Sequence, residues 1–151
     1  YIIIATFTFF LFIIINIVDQ ISYIFSLQII ATIWLFDTFS YIGGKIIGGK
    51  KLIPSISSGK TISGLISGIL FTYIIMQIYQ INEGKYFIYS SFTTLIIIVF
   101  AFIGDLSVSM LKRSSLTKDT GTIMPGHGGL LDRLDSFIGV FFLLALINIF
   151  L

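Results

Sequence analysis

Four of the seven acidic residues and four of the nine basic ones lie between Asp105 and Asp135, together with the only histidine, His127. Asp105, Asp119, Asp132 and Asp135 are interleaved there with Lys112, Arg113, Lys118 and Arg133. Carboxylate oxygens suit a hard ion such as Mg²⁺. With no cysteine and one histidine, thiolate chemistry is closed and zinc is poorly served. Lysine and arginine hold phosphates through charge-assisted hydrogen bonds. This mixture therefore points to a site that handles a phosphorylated substrate beside a metal ion.

Each group also has a plainer reading. If a helix runs on through Arg113, then Asp105, Ser109 and Lys112 share one face, a stripe able to hold a cation and a phosphate. The same residues equally fit an interfacial Asp–Lys pair that ends a membrane helix. Asp132 and Asp135 stand on the opening turn of the last apolar segment, where acidic residues complement the helix dipole. Their depth beside a hydrocarbon run also makes them functional candidates. Pro125-Gly126-His127-Gly128-Gly129 offers backbone N–H groups to a phosphate, or is simply a turn. Arg113 and Lys118 serve equally as topology determinants, and His127 as a surface histidine.

A second polar stretch reads Asp37-Thr-Phe-Ser-Tyr41-Ile-Gly-Gly-Lys45 and continues to Gly59-Lys60-Thr61. Asp37 lies about one and a half turns inside its helix end, which singles it out over the lysines beyond it. Gly59-Lys60-Thr61 has the ending of a Walker A loop. Pro54 occupies the position that loop needs for glycine and no strand precedes it, so a P-loop is excluded.

The elements that position these residues follow from composition. Hydrophobic residues make up 56% of the chain and charged ones 11%, with a mean hydropathy of +1.06. Soluble domains carry about a quarter charged residues, so this chain belongs in a bilayer. A spanning helix needs about 20 apolar residues. Segments Ile2–Val18, Ile21–Ile42, Thr61–Gln80, Phe87–Gly104 and Asp132–Leu151 qualify. Continuous apolar runs without alternation predict an all-α, polytopic membrane bundle of about five transmembrane helices in a single domain over 1–151. Two long polar loops result, Gly43–Lys60 and Asp105–Leu131. Lys45, Lys50, Lys51, Lys60, Lys112, Arg113, Lys118 and Arg133 fall in or beside them, against Lys85 elsewhere. The positive-inside rule places both loops in the cytoplasm, with Tyr1 inside and Leu151 outside. Gly64 and Gly68, flanked by Ser63 and Ser67, allow close helix approach, either within the chain or across a homodimer. The first apolar run lacks the basic start and cleavage site of a signal peptide. An opening at Tyr1 without Met, inside an apolar run, leads us to expect an N-terminally truncated chain.

Taken together, Ser109-x-Leu111-Lys112-Arg113-x4-Lys118-Asp119-x-Gly121-x-Ile123 followed by Pro125-Gly126-His127-Gly128-Gly129-Leu130-x-Asp132-Arg133-Leu134-Asp135 closely resembles the signature of phosphatidate cytidylyltransferases, or CDP-diacylglycerol synthases. Asp37, Phe39, Tyr41, Gly48, Lys50, Leu52, Pro54, Ser57, Lys60, Thr61 and Gly64 are similar to that family's preceding loop. Ser58 and Ser63 depart from it, standing where Pro and Glu or Gln are usual. The resemblance implies the C-terminal portion of such an enzyme. Its reaction would be Mg²⁺-dependent transfer of a cytidylyl group from CTP to phosphatidic acid, giving CDP-diacylglycerol and pyrophosphate. It further implies metal ligation by Asp105 and Asp132, with Asp119 and Asp135 as additional ligands and room for a second cation. Lys112, Arg113, Lys118 and His127 would hold phosphates, with Ser109 nearby. Asp37, Tyr41, Lys60, Thr61, Gly128, Gly129 and Arg133 would line the substrate site. The expected partners are CTP, phosphatidic acid and membrane lipid, without nucleic acid. The competing readings are a related CTP-dependent enzyme with another lipid phosphate acceptor, a membrane transporter, and an inactive paralogue kept as an interaction subunit.

Overall fold

The computed structural model describes residues 23–82, 87–115 and 131–150. They form helix α1 (Tyr23–Ile46), an antiparallel hairpin of β1 (Lys51–Ile53) and β2 (Ser57–Thr61), and helices α2 (Ile62–Asn82), α3 (Phe87–Ser114) and α4 (Leu131–Phe150). Among the described residues, three stretches are long and apolar enough to cross a membrane: Phe25–Ile46, Ile62–Tyr79 and Ser91–Ser114. Within α4 the apolar part, Leu134–Ile147, is shorter. The expected first segment, Ile2–Val18, lies outside the described residues.

The helical bundle is as expected, but both polar loops are more structured than the sequence suggests. The loop placed at Gly43–Lys60 begins as helix, which runs to Ile46, and then becomes the hairpin, so the chain is not purely α. Gly48 and Gly49 adopt φ of 66° and 102°, a left-handed backbone open to glycine at little cost, and they turn the chain out of α1. The hairpin closes on a turn in which Ile56 N donates to Ile53 O at 3.1 Å, with Pro54 pre-set for the bend. Thr61 then caps α2, its Oγ1 accepting from Gly64 N at 3.1 Å. At the second loop, α3 does not stop at Gly104 but continues to Ser114. Leu106, Val108, Met110 and Leu111 sustain the helix, and Lys112 and Arg113 in its last turn complement the dipole.

Two glycine seams build the bundle, one between α1 and α2 and one between α3 and α4. In the first, a Cβ on Gly64 would stand 2.6 Å from Ser40 O and 3.2 Å from the Cα of Gly44. The Gly64/Gly68 face is thus taken up inside the chain, and Ser67 Oγ donates across it to Phe39 O at 3.1 Å. In the second, a Cβ on Gly104 would stand 2.5 Å from Gly139 N, and one on Gly139 would fall on Phe100 O. Packing and small residues, rather than apolar surface burial, drive such contacts in lipid. A shared core of Ile29, Ile33, Phe36, Ile97, Ile98, Ala101 and Val140 joins the two pairs.

Candidate active site

Both seams lead to the same end of the bundle, where the C-terminal turns of α1 and α3 meet the start of α4 and the hairpin. A cavity of about 480 Å³ opens there. Three carboxylates from three helices line it: Asp37 from α1, Asp105 from α3 and Asp135 from α4. Lys45 and Lys51 contribute positive charge from the end of α1 and from β1, and Lys60 from β2. Phe36, Leu65 and Phe102 supply apolar wall.

Local sequence explains how each carboxylate arrives. The Gly104–Gly139 crossing lets α3 and α4 touch backbone to backbone, and Asp105 and Asp135 flank that contact. With larger residues at the crossing, the helices would separate and the carboxylates with them. Asp105 forms an ion pair with Lys60, whose ammonium also sits 5.5 Å from the centre of the Phe102 ring. Their side chains are 22% and 23% exposed, but the Lys60 ammonium nitrogen itself is buried. Asp37 accepts a hydrogen bond from Ser136 Oγ at 3.1 Å, tying α1 to α4. Asp135 Oδ1 accepts from the Ser136 N–H at 2.9 Å. Ser136 is 2% exposed and so orients two of the three carboxylates from inside the bundle.

The expected site residues divide into several groups. Asp37, Tyr41, Lys60, Thr61, Asp105 and Asp135 line the cavity together. Thr61 is spent on structure, since its hydroxyl also hydrogen-bonds with Ser63 Oγ at 3.1 Å while it caps α2. Asp105, Ser109 and Lys112 do lie on one continuous helix, but only Asp105 reaches the cavity. Lys112 is seven residues on, about 10 Å farther along the axis, and Ser109 is buried in helix packing. Asp105 is paired with Lys60, from the hairpin. Arg113 also points away: its Nε donates to Ile56 O at 3.0 Å. Lys118, Asp119, His127, Gly128 and Gly129 lie outside the described residues, as do the side chains of Asp132 and Arg133, although α4 begins at Leu131 as their placement requires.

Ser136, Lys45, Lys51 and Phe102 were not among the expected site residues. For Ser136 there was a signal, a hydroxyl directly after the last aspartate in an otherwise apolar helix. Lys45 and Lys51 read only as topology charges. Nothing in the sequence marked Phe102.

Fold and cavity together define a membrane-type helical bundle with a charged site at one end. The chain belongs to the cytidylyltransferase family, whose model matches residues 1–150. It is 40% identical over 136 residues to the phosphatidate cytidylyltransferase of Bacillus subtilis (strain 168), covering 86% of this chain and 51% of that protein. The Staphylococcus haemolyticus (strain JCSC1435) enzyme of the same name is 41% identical over 135 residues, covering 88% and 50%. That of Staphylococcus aureus (strain COL) is 42% identical over 123 residues, covering 79% and 45%. The chain thus spans about half the length of the curated relatives it matches. A solved structure described as giving insight into an intramembrane enzyme for archaeal membrane lipid biosynthesis superposes with a TM-score of 0.52 at 20% identity, covering 78% of this chain and 75% of that one. At that identity the likeness is one of fold.

Proposed function

We propose that this chain forms the catalytic C-terminal part of a phosphatidate cytidylyltransferase, transferring a cytidylyl group from CTP to phosphatidic acid at the cytoplasmic face of a membrane. The observation that carries the reading is the convergence of Asp37, Asp105, Asp135 and Lys60, from four separate elements, on one cavity at the end of an apolar bundle. In the reaction, an oxygen of the lipid phosphate forms a new bond to the α-phosphorus of CTP, and the bond to the β-phosphate breaks, releasing pyrophosphate. The lipid phosphate is already ionised near neutral pH, so a strong general base is not needed. Alignment and charge neutralisation are the main demands.

The donor set fits a divalent ion. Among the described residues no three acidic or histidine side chains already form a metal cluster. Mg²⁺, however, is commonly held by one or two carboxylates with substrate phosphates and water completing its shell. Asp105 and Asp135 are the described residues best placed to hold it, with Asp132 and Asp119 added by resemblance. When bound, it would neutralise charge on the phosphates. Lys60, Lys45 and Lys51 then attract the anionic substrates, and Phe36, Leu65 and Phe102 offer apolar wall for lipid beside the phosphate. The basic residues on one side of the bundle support the cytoplasmic placement.

Incubation of membranes containing the protein with labelled CTP and phosphatidic acid tests the reading. Label in CDP-lipid, dependent on Mg²⁺ and lost in Asp132→Asn while the protein stays in the membrane, is the expected result. Ion flux without CDP-lipid would point to a transporter instead.

A further inference from the structure

The β1–β2 hairpin forms part of the cavity wall through Lys51, Leu52, Gly59 and Lys60. A single two-stranded ribbon is marginally stable by itself, and this one carries a register irregularity between Lys51 and Ile53. Its position is therefore set by its attachments. The base is tied down by Ile62 N donating to Lys50 O at 3.1 Å and by Ser63 Oγ donating to Gly48 O. Lys60, in β2, is held by Asp105 of α3. At the tip, the attachment among the described residues is Arg113, whose Nε donates to Ile56 O at 3.0 Å. The N–H of Ile56 already closes the turn to Ile53 O, so its carbonyl is the group left to receive an outside donor. Asp105 and Arg113 lie eight residues apart, about 12 Å along α3. One rigid helix thus grips the hairpin at two separate points, on the strand that carries Lys60 and at the turn that precedes it.

We propose that Arg113 is a positioning residue, a latch on the hairpin tip that keeps Lys60 and Leu52 in the cavity wall, rather than a phosphate ligand. The functional consequence rests on the cavity being the cytidylyl-transfer site; the latch itself rests on the Arg113–Ile56 contact. Arginine suits the task because a charge-assisted hydrogen bond to a carbonyl is stronger than a neutral one, and this one lies at the exposed end of the hairpin. Released at the tip, the ribbon would be held only at its base and by the Lys60–Asp105 pair, and the cavity wall would fluctuate. Substrate would still bind, but alignment for transfer would suffer.

The 151 residues hold no cysteine, so a pair introduced among them gives a direct test once any cysteine elsewhere in the protein is replaced. In the full-length protein, Arg113→Ala is expected to lower kcat about tenfold with little change in KM for CTP, the loss of one charge-assisted hydrogen bond. The Ile56→Cys/Arg113→Cys variant should be equally impaired. Linking its thiols with a short, reducible bis-thiosulfonate reagent should restore kcat, and reductant should remove the gain. A linked protein as slow as Arg113→Ala overturns the latch, as does an Arg113→Ala defect confined to KM for CTP, which would identify a phosphate ligand. If the unsubstituted protein transfers no cytidylyl group, the functional reading falls. The latch is then judged by trypsin: cleavage after Lys51 should be faster in Arg113→Ala, and equal rates would overturn it.

Discussion

The two glycine seams use the same packing device for different ends. Between α1 and α2, Gly43, Gly44, Gly64 and Gly68 interlock, and the polar groups beside them are hydroxyls: Ser40, Thr61 and Ser67. Between α3 and α4, Gly104 meets Gly139, and the polar groups beside the contact are Asp105 and Asp135. Close backbone approach gathers hydroxyls in one seam, whose Ser40, Gly44 and Gly64 also line the cavity, and concentrates charge in the other. In lipid, bringing like charges together is opposed by both repulsion and poor solvation. The second seam therefore needs counter-charge and hydrogen bonds that the first does not. Lys60 and Ser136 provide them, one from the hairpin and one from α4.

The sharpest way to break this comparison is Gly139→Val. A branched side chain there would collide with Phe100 O and push α3 from α4. Destabilisation of about 3 kcal/mol or more is expected from such overpacking, with loss of both the thermal transition in detergent and cytidylyl transfer. Asp105→Asn should leave the seam packed but remove the charge. Transfer is expected to fall about a hundredfold or more, the scale of losing one preorganised electrostatic partner, with a lower melting temperature as well, because the buried Lys60 ammonium loses its counter-charge. A large fall in stability with near-normal transfer would reverse the assignment. Ser136→Ala removes the hydroxyl donor to Asp37 and leaves the backbone N–H donor to Asp135 in place. A loss of roughly tenfold in kcat is expected for one hydrogen bond to a charged group, restored in part by Ser136→Thr. Gly43→Ala probes the other seam away from the cavity, where its Cβ would fall on Ser67 Oγ: destabilisation of about 1–3 kcal/mol by chemical denaturation is expected, with transfer per folded molecule nearly unchanged. If Gly43→Ala abolished transfer in a folded protein, the contrast between an uncharged seam and a charged one would fail.

The helices were legible because their apolar runs are long and uninterrupted, and the Gly64/Gly68 pattern announced a close contact without naming the partner. Boundaries were harder. Ending a helix at Gly104 follows the hydropathy, whereas the backbone follows its own hydrogen bonding through Asp105 into Ser114. The hairpin was hidden because its strands are three and five residues long and mostly polar, too short for an alternation to register. Of the site, residue types were readable and orientations were not. Arg113 and Lys112 are adjacent in a basic pair, yet a rotation of 100° per residue sends Arg113 to the hairpin tip.

Sequence alone determined that the chain belongs in a membrane, that its basic residues gather in two polar stretches, and which aspartates and lysines were available for phosphate chemistry. Those are properties of composition and local pattern, and each is written in neighbouring residues. Tertiary structure decided which of them meet: Asp37 with Ser136 across 99 positions, and Lys60 with Asp105. It also decided that Arg113 turns to Ile56, 57 positions away. Periodicity specifies the face of a helix but not the surface opposite it. Here that surface is chosen by how closely four helices can approach, which two glycine crossings and a short hairpin settle only when all are packed at once.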